Sequence, residues 1–158
     1  MERIDKILHH KKFIEVISAI EDIEKDRIYC LHGLEHAVDT ARISYILGLE
    51  ENSGIGKDII YAAALLHDTG RFSQYMSGTP HQQISIELAK EILPQCGYNS
   101  AEISEILIAI NSHRHGETKN LLGKILQQAD NLSRLCFNCK ARSTCKWDKN
   151  EMNMSLEY

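Results

Sequence analysis

Apolar residues recur along this chain at intervals of three and four, the period of a helix rather than the alternation of a strand. Ile4, Ile7, Leu8, Ile14, Ile17 and Ile20 form one such stripe, so the segment from Ile4 to Ile23 reads as a single amphipathic helix. A turn is expected near Cys30 to Gly33, and a second helix from about Leu34 to Gly48. Asn52, Gly54 and Gly56 mark a loop ahead of the run Ile59-Ile60-Tyr61-Ala62-Ala63-Ala64-Leu65-Leu66. That run is too apolar for a surface and predicts a buried helix, which Gly70 is expected to end. Ser77-Gly78-Thr79-Pro80 then leads into a helix from His81 to Leu93, with Pro94 as its stop. Further helices are expected from Ser100, acting as cap, to Ser112, and from about Leu121 to Leu135. From Cys136 onward the chain is polar and irregular, with an end expected to fray. The pattern predicts an all-α fold, a single helical bundle over residues 1–158 with no linker and no internal repeat.

Composition narrows the partners more than the fold. A chain of 158 residues suits one domain, and 43% hydrophobic with 25% charged residues is ordinary for a globular protein. A formal net charge of −4 argues against a protein that coats long nucleic acid, and leaves room for a small anionic ligand bound by local charge. Met1-Glu2-Arg3-Ile4-Asp5-Lys6 lacks the apolar core of a signal peptide, and no apolar stretch approaches a membrane span. A soluble, cytoplasmic protein is expected. Five cysteines without an export signal imply reduced thiols rather than a disulfide framework.

The polar residues that interrupt the apolar faces carry the chemistry. His67-Asp68 closes the buried run, and an imidazole beside a carboxylate is costly to bury without partners. His81 shares a helical face with Ile84, Leu88 and Ile92; His113 shares one with Ile106 and Ile110; Asp130 follows Leu122 and Leu126 in steps of four. One inward histidine is ordinarily a satisfied core residue. Several on separate helices, with His36 added, point to a metal site. Nitrogen and oxygen donors without thiolate suit iron, manganese, zinc, cobalt or nickel, and not calcium. Two such ions would hold a hydroxide between them and clamp the oxygens of a phosphate under attack, and Asp68 is placed to bridge them.

The order His36, His67-Asp68, Asp130 resembles the signature of the HD-domain metal-dependent phosphohydrolases, over roughly residues 32 to 135. Glu35-His36-Ala37-Val38-Asp39-Thr40-Ala41-Arg42 is similar to that family's first ligand helix, Ala64-Leu65-Leu66-His67-Asp68-Thr69-Gly70-Arg71 to its central motif, and Gln128-Ala129-Asp130 to its last. His81 and His113-Arg114-His115-Gly116 resemble the two-metal branch, which includes dinucleoside tetraphosphate hydrolases and the cyclic-dinucleotide phosphodiesterases marked by a Gly-Tyr-Pro element. The likeness implies one ion on His36, His67, Asp68 and Asp130, and a second on Asp68, His81 and His113. No Gly-Tyr-Pro element follows His113, and Asn131-Leu132-Ser133-Arg134-Leu135 differs from the tetraphosphate hydrolase ending, so the likeness carries a reaction class rather than a substrate.

The implied activity is hydrolysis, by metal-activated hydroxide, of a phosphoester or phosphoanhydride bond in a nucleotide or related small phosphorylated metabolite. Asp68 and Arg71 are the expected catalytic residues. Arg71, His115 and His32 are the expected substrate contacts, with Arg114 a weaker one, since a guanidinium can hold a phosphate bidentately. Two readings compete: a metal-bound sensing or binding module without turnover, and an oxygen-using di-iron enzyme. A homodimer is compatible with all three. Cys136-x-x-Cys139 with Cys145 resembles part of a zinc or iron–sulfur pattern, with Cys30, Cys96 or a histidine available as a fourth ligand; reduced thiols packing a compact turn are the simpler alternative.

Overall fold

The computed structural model describes residues 1–113 and 118–158, and among these every regular element is helical. In chain order they are α1 (Glu2–Leu8), α2 (Lys11–Ile23), α3 (Leu34–Glu50), α4 (Lys57–Leu66), α5 (Arg71–Ser77), α6 (His81–Gln95), α7 (Ser100–Ser112) and α8 (Leu121–Leu132). Short 3-10 turns follow at Cys136–Asn138 and Arg142–Thr144. The predicted all-α bundle is the observed one. α4 lies at its centre, against α1, α3, α6, α7 and α8. Ala62, Ala63 and Ala64 are fully buried, and their small side chains let neighbouring helices approach α4 closely. Ile60, Leu65 and Leu66 of α4 meet Ile92 and Leu93 of α6, Ile106 and Ile110 of α7 and Leu122 of α8 in one core. No helix of the described residues is long and apolar enough to cross a membrane.

The expected first helix is two. Ile4 and Phe13 are both buried, yet nine residues at about 100° each would set them half a turn apart on one straight helix. The chain resolves this by breaking at His9-His10, where the His10 side chain caps α2 by accepting from the Lys12 N–H at 3.2 Å. Phe13 rather than Ile14 then faces the core, and Ile14 is exposed. Arg3 fixes α1 in its separate course. Its guanidinium bonds Asp58 of α4 and Glu102 of α7, and lies 4.2 Å from the Tyr98 ring centre.

Other boundaries move for local reasons. Asn99, not Ser100, caps α7, in a capping box with Glu102. Pro94 falls inside the last turn of α6, where its missing N–H costs a single bond, and the Cys96 N–H closes the end onto Ile92 and Leu93. α8 stops at Leu132, and the segment beyond it is tied down rather than frayed. Asn153 Nδ2 donates to the carbonyls of Leu132 and Arg134, and Arg134 stacks 4.1 Å from the Trp147 ring centre.

The turn after α4 is set by close approach. α4 ends at Leu66, before His67, and Gly70 immediately precedes α5, an element the apolar pattern did not signal. The Gly70 N–H donates to Ser85 Oγ at 2.9 Å, and a Cβ on Gly70 would sit 2.1 Å from the His81 carbonyl oxygen. The turn carrying His67-Asp68 is thus pressed onto the first turn of α6. Gly70→Ala should therefore cost about 1–3 kcal/mol through forced backbone displacement. Urea unfolding measures this, and an unchanged midpoint would contradict the packing described.

Candidate metal centre

Four helices and one turn deliver the predicted residues to one place. His36 comes from the first turns of α3, His67 and Asp68 from the turn closing α4, His81 from the start of α6, His113 from the end of α7 and Asp130 from α8. The ligand atoms of His36, His67, Asp68 and Asp130 all lie within 4.8 Å of one another, as do those of Asp68, His81 and His113. Nearly all of this is buried, with His67 and His81 at 0% exposure and His113 at 1%.

Each imidazole is aimed by its far nitrogen. His67 Nδ1 donates to the Ala64 carbonyl at 2.6 Å, and His113 Nδ1 to that of Ile110 at 2.6 Å. His81 Nδ1 faces Gln74 Oε1 at 3.0 Å. His36 Nδ1 faces Ser133 Oγ at 3.2 Å, and because that hydroxyl donates to the Asp130 carbonyl, the serine oxygen accepts from the ring. In all four cases the proton sits on Nδ1 and the Nε2 lone pair points inward, the tautomer that metal-binding histidines adopt.

Asp68 divides its two oxygens between the groups. Oδ1 lies 3.1 Å from His81 Nε2 and accepts from Arg71 Nε at 3.0 Å, whereas Oδ2 faces His67 Nε2 at 3.5 Å and His36 Nε2 at 3.8 Å. Asp130 Oδ1 stands 3.3 Å from His36 Nε2. Both Asp130 oxygens accept from Arg134 Nη2 at 3.0 Å. Among the described residues, the Nε2 atoms of His36, His67 and His113 and Asp68 Oδ2 are buried with no hydrogen-bond partner. Buried polar atoms are rarely left so. Separations of 3.3–3.8 Å are those of donors surrounding an ion that each approaches at about 2.1 Å. The donor set fits a divalent transition metal.

Protonation agrees. Burial pushes the His67 pKa down, and burial together with the nearby His67 takes His113 to about 4, so both rings are neutral and able to bind metal. Burial opposes charge on Asp68, but His67, His81 and Arg71 outweigh it and hold the carboxyl well below its usual range. Asp130 is lowered in the same way, by His36, Arg134 and His67 against burial.

The remaining expectations fare differently. Arg71 is buried, not solvated: Nε holds Asp68 and Nη1 reaches Gln74 Oε1 at 3.3 Å. His32 is also buried, its Nε2 4.0 Å from Asp68 Oδ2 and its Nδ1 2.6 Å from Glu24 Oε1. His115 and Arg114 lie outside the described residues. Sequence reasoning missed Glu24, Gln74, Tyr75, Ser133 and Arg134. Glu24 is buried at 3% exposure and takes hydrogen bonds from His32 and from the Tyr75 hydroxyl, which keep its carboxylate ionised against burial. Arg134 was readable, four residues after Asp130 and so one helical turn on, just past the end of α8. Glu24 carried no signal, since a loop separates it from His32.

The HD domain profile matches residues 33–135. The chain belongs to the HD domain family. The HD core is therefore the stretch from α3 to just past α8, and the tail from Cys136 lies beyond the match. Over its whole length the chain is 40% identical to an uncharacterized protein of Clostridium beijerinckii, covering all of that protein. It is 28% identical over 127 residues to ribonuclease Y 1 of Pediococcus pentosaceus, spanning only 22% of that much longer protein. Among solved structures it resembles a predicted HD superfamily hydrolase from an uncultured Thermotogales bacterium, with a TM-score of 0.67, 25% identity, and coverage of 92% of this chain and 82% of that one. HD-type fold and histidine–aspartate cluster together make the chain HD superfamily hydrolase-like.

The buried histidines set a pH dependence. In the unfolded chain histidine titrates near 6.5, whereas His113 in the fold titrates at about 4, so the unfolded state binds more protons between those values. The stability this neutral ring contributes is complete above about pH 6.5 and is lost as pH falls toward 4; Asp68 and Asp130, both lowered, lose theirs in the same direction. Chelator-treated protein should therefore lose on the order of 3 kcal/mol or more between pH 7 and pH 4. Urea unfolding at the two pH values tests this, and a flat profile would contradict neutral buried imidazoles.

Proposed function

We propose that this chain is a metal-dependent phosphohydrolase of the two-metal kind, cleaving a phosphoester or phosphoanhydride bond of a nucleotide or related small phosphorylated metabolite in the cytoplasm. The observation that carries the reading is Asp68, with one oxygen turned to His36 and His67 and the other to His81. A carboxylate divided between two sets of imidazoles is the arrangement a bridging ligand requires. His36, His67, Asp68 and Asp130 would hold one ion, and Asp68, His81 and His113 the second. Divalent ions at these groups would supply Lewis acidity toward phosphate oxygens and a water acidic enough to ionise near neutral pH.

The chain's own residues do the rest. Arg71 fixes Asp68 Oδ1 through Nε, and its Nη2 carries N–H groups that no described residue takes up, the group best suited to a phosphate oxygen. The Tyr75–Glu24–His32 set keeps an ionised carboxylate behind His32, fixing the ring's Nδ1 and turning Nε2 toward Asp68. His32 is thereby poised to exchange a proton with a group bound beside Asp68, at a distance of 4.0 Å that one bound atom would span. The net charge of −4 favours a small substrate over a long nucleic acid, although some relatives are named ribonucleases.

Asp68→Asn should abolish hydrolysis across a panel of nucleotides and generic phosphodiesters, a loss of at least about a thousandfold in kcat. His113→Ala should lower bound metal at the centre from two ions to one. Retained turnover in Asp68→Asn would refute the mechanism. Oxygen consumption with reduced iron, and no hydrolysis on any panel member, would favour di-iron chemistry instead.

A further inference from the structure

Four of the five cysteines line one cavity beside the histidine–aspartate centre, and none of them belongs to that centre. Cys30 lies on the loop between α2 and α3, and Cys136, Cys139 and Cys145 on the tail beyond α8, more than a hundred residues later. All four line one cavity of about 450 Å³ that also borders His36 and Arg134. None is paired in a disulfide, and each is partly accessible to the cavity rather than packed in the core. The fifth, Cys96, is buried at the far end of α6, away from this cavity. That resolves which residue can complete the tail's Cys-x-x-Cys pattern.

The local structure is built to hold this arrangement. The tail folds as two successive 3-10 turns. In them the Cys139 N–H donates to the Cys136 carbonyl and the Arg142 N–H to that of Cys139, while the Cys145 N–H returns to Arg142. The Tyr29 hydroxyl bonds both the carbonyl and Oγ1 of Thr144, which docks the loop carrying Cys30 against the turn carrying Cys145. Asn153 and the Arg134–Trp147 stack fasten the tail to the end of α8. Burial raises the Cys30 thiol pKa, and the neighbouring Cys136, Cys145 and Cys139 add to this against the guanidinium of Arg134. A tail this polar, with no apolar core of its own, gains little from such order unless something binds the thiols.

We propose that Cys30, Cys136, Cys139 and Cys145 form a second metal site, a four-thiolate centre that takes a zinc ion or an iron–sulfur cluster and locks the tail onto the HD core. Four thiolates from a Cys-x-x-Cys turn, a nearby third cysteine and a distant loop are the ligand chemistry of both groups. Among the described residues, the groups that bring three or more ligand atoms within 4.8 Å are the two histidine–aspartate sets. No three of the thiols thus stand as close together as the roughly 3.8 Å that a single zinc ion imposes on its sulfurs. A cluster spreads its cysteine ligands over several irons and so takes a wider set of thiols, whereas a zinc ion would draw the two turns inward. Binding either one breaks S–H bonds and releases protons, with no change in the oxidation state of sulfur.

The test uses the full chain purified without oxygen, with zinc, iron and acid-labile sulfide measured per chain. His67→Ala, which empties the histidine–aspartate centre, isolates the thiol-bound metal, so this result stands apart from the fate of the proposed hydrolase reading. The expected result is about one zinc, or iron with matching sulfide and absorbance near 400 nm, retained in His67→Ala and in Cys96→Ser. That metal should be lost in Cys30→Ser and Cys139→Ser, with the four thiols unreactive to a thiol reagent until a chelator is added. Zinc and iron–sulfur outcomes each support the site and decide its occupant. If the untreated wild-type protein shows at least four freely reactive thiols, or a disulfide among them, the proposal fails whether or not the serine variants fold.

Discussion

The burial of the Asp68 carboxylate among imidazoles is the constraint on which the rest of the structure depends. Putting an ionised carboxylate at 4% exposure in a helical core is expensive without compensation. Arg71 from the next helix supplies the lasting positive charge, while His81 from α6 and His67 from the same turn direct Nε2 at the carboxylate, suited to share a cation with it, and His32 from the loop before α3 faces it too. Each of those elements must therefore be where it is. The absence of a side chain at Gly70 lets the α4–α5 turn press on α6, and the alanines of α4 let α3, α7 and α8 close around it. The apolar core and the polar centre are one packing problem solved together.

The same economy orients the histidines. Two of the four inward rings are fixed by carbonyls of their own helices three residues back, at Ala64 and Ile110. A helix end exposes carbonyls without partners, so a histidine at that position satisfies the backbone and turns Nε2 outward in a single contact. The other two rings rely on side chains, Gln74 and Ser133, from elements that follow a ligand closely in sequence. Preorganisation of this kind costs little extra, because the hydrogen bonds that hold the rings also close α4 and α7.

What the sequence made legible was the periodic part of this arrangement. His67-Asp68 after an unbroken apolar run, and His81, His113 and Asp130 each on an inward face, could be placed because helical phase alone fixes direction. The missed features depend on phase breaking down. The junction at His9-His10 follows from Ile4 and Phe13 needing the same side of the core, a requirement visible only once the neighbours of α1 and α2 are known. α5 is a seven-residue helix, too short for an apolar stripe to repeat, and it carries Arg71, Gln74 and Tyr75. That Arg71 is buried was not readable either, because its partners Asp68 and Gln74 flank it on a turn and a helix with no periodic run to set their direction. Glu24 reaches His32 across a loop, a contact no periodicity encodes.

The charges at the centre give a reason for an anionic ligand in an acidic protein. Asp68 is matched by Arg71 and Asp130 by Arg134, so the two buried carboxylates are already neutralised before any cation arrives. His67 and His113 are neutral, since burial holds both below their usual range. Among the described residues Glu24 is the remaining buried negative group, and it lies behind His32 rather than among the inward lone pairs. Divalent ions taken up by such a site would find no further carboxylate among the described residues at the centre to balance them, and the local potential would become strongly positive. In a low-dielectric pocket that excess favours a ligand carrying several negative charges on closely spaced oxygens. A phosphate group meets that requirement, and the overall charge of −4, spread over the surface and screened by salt, does little to oppose it.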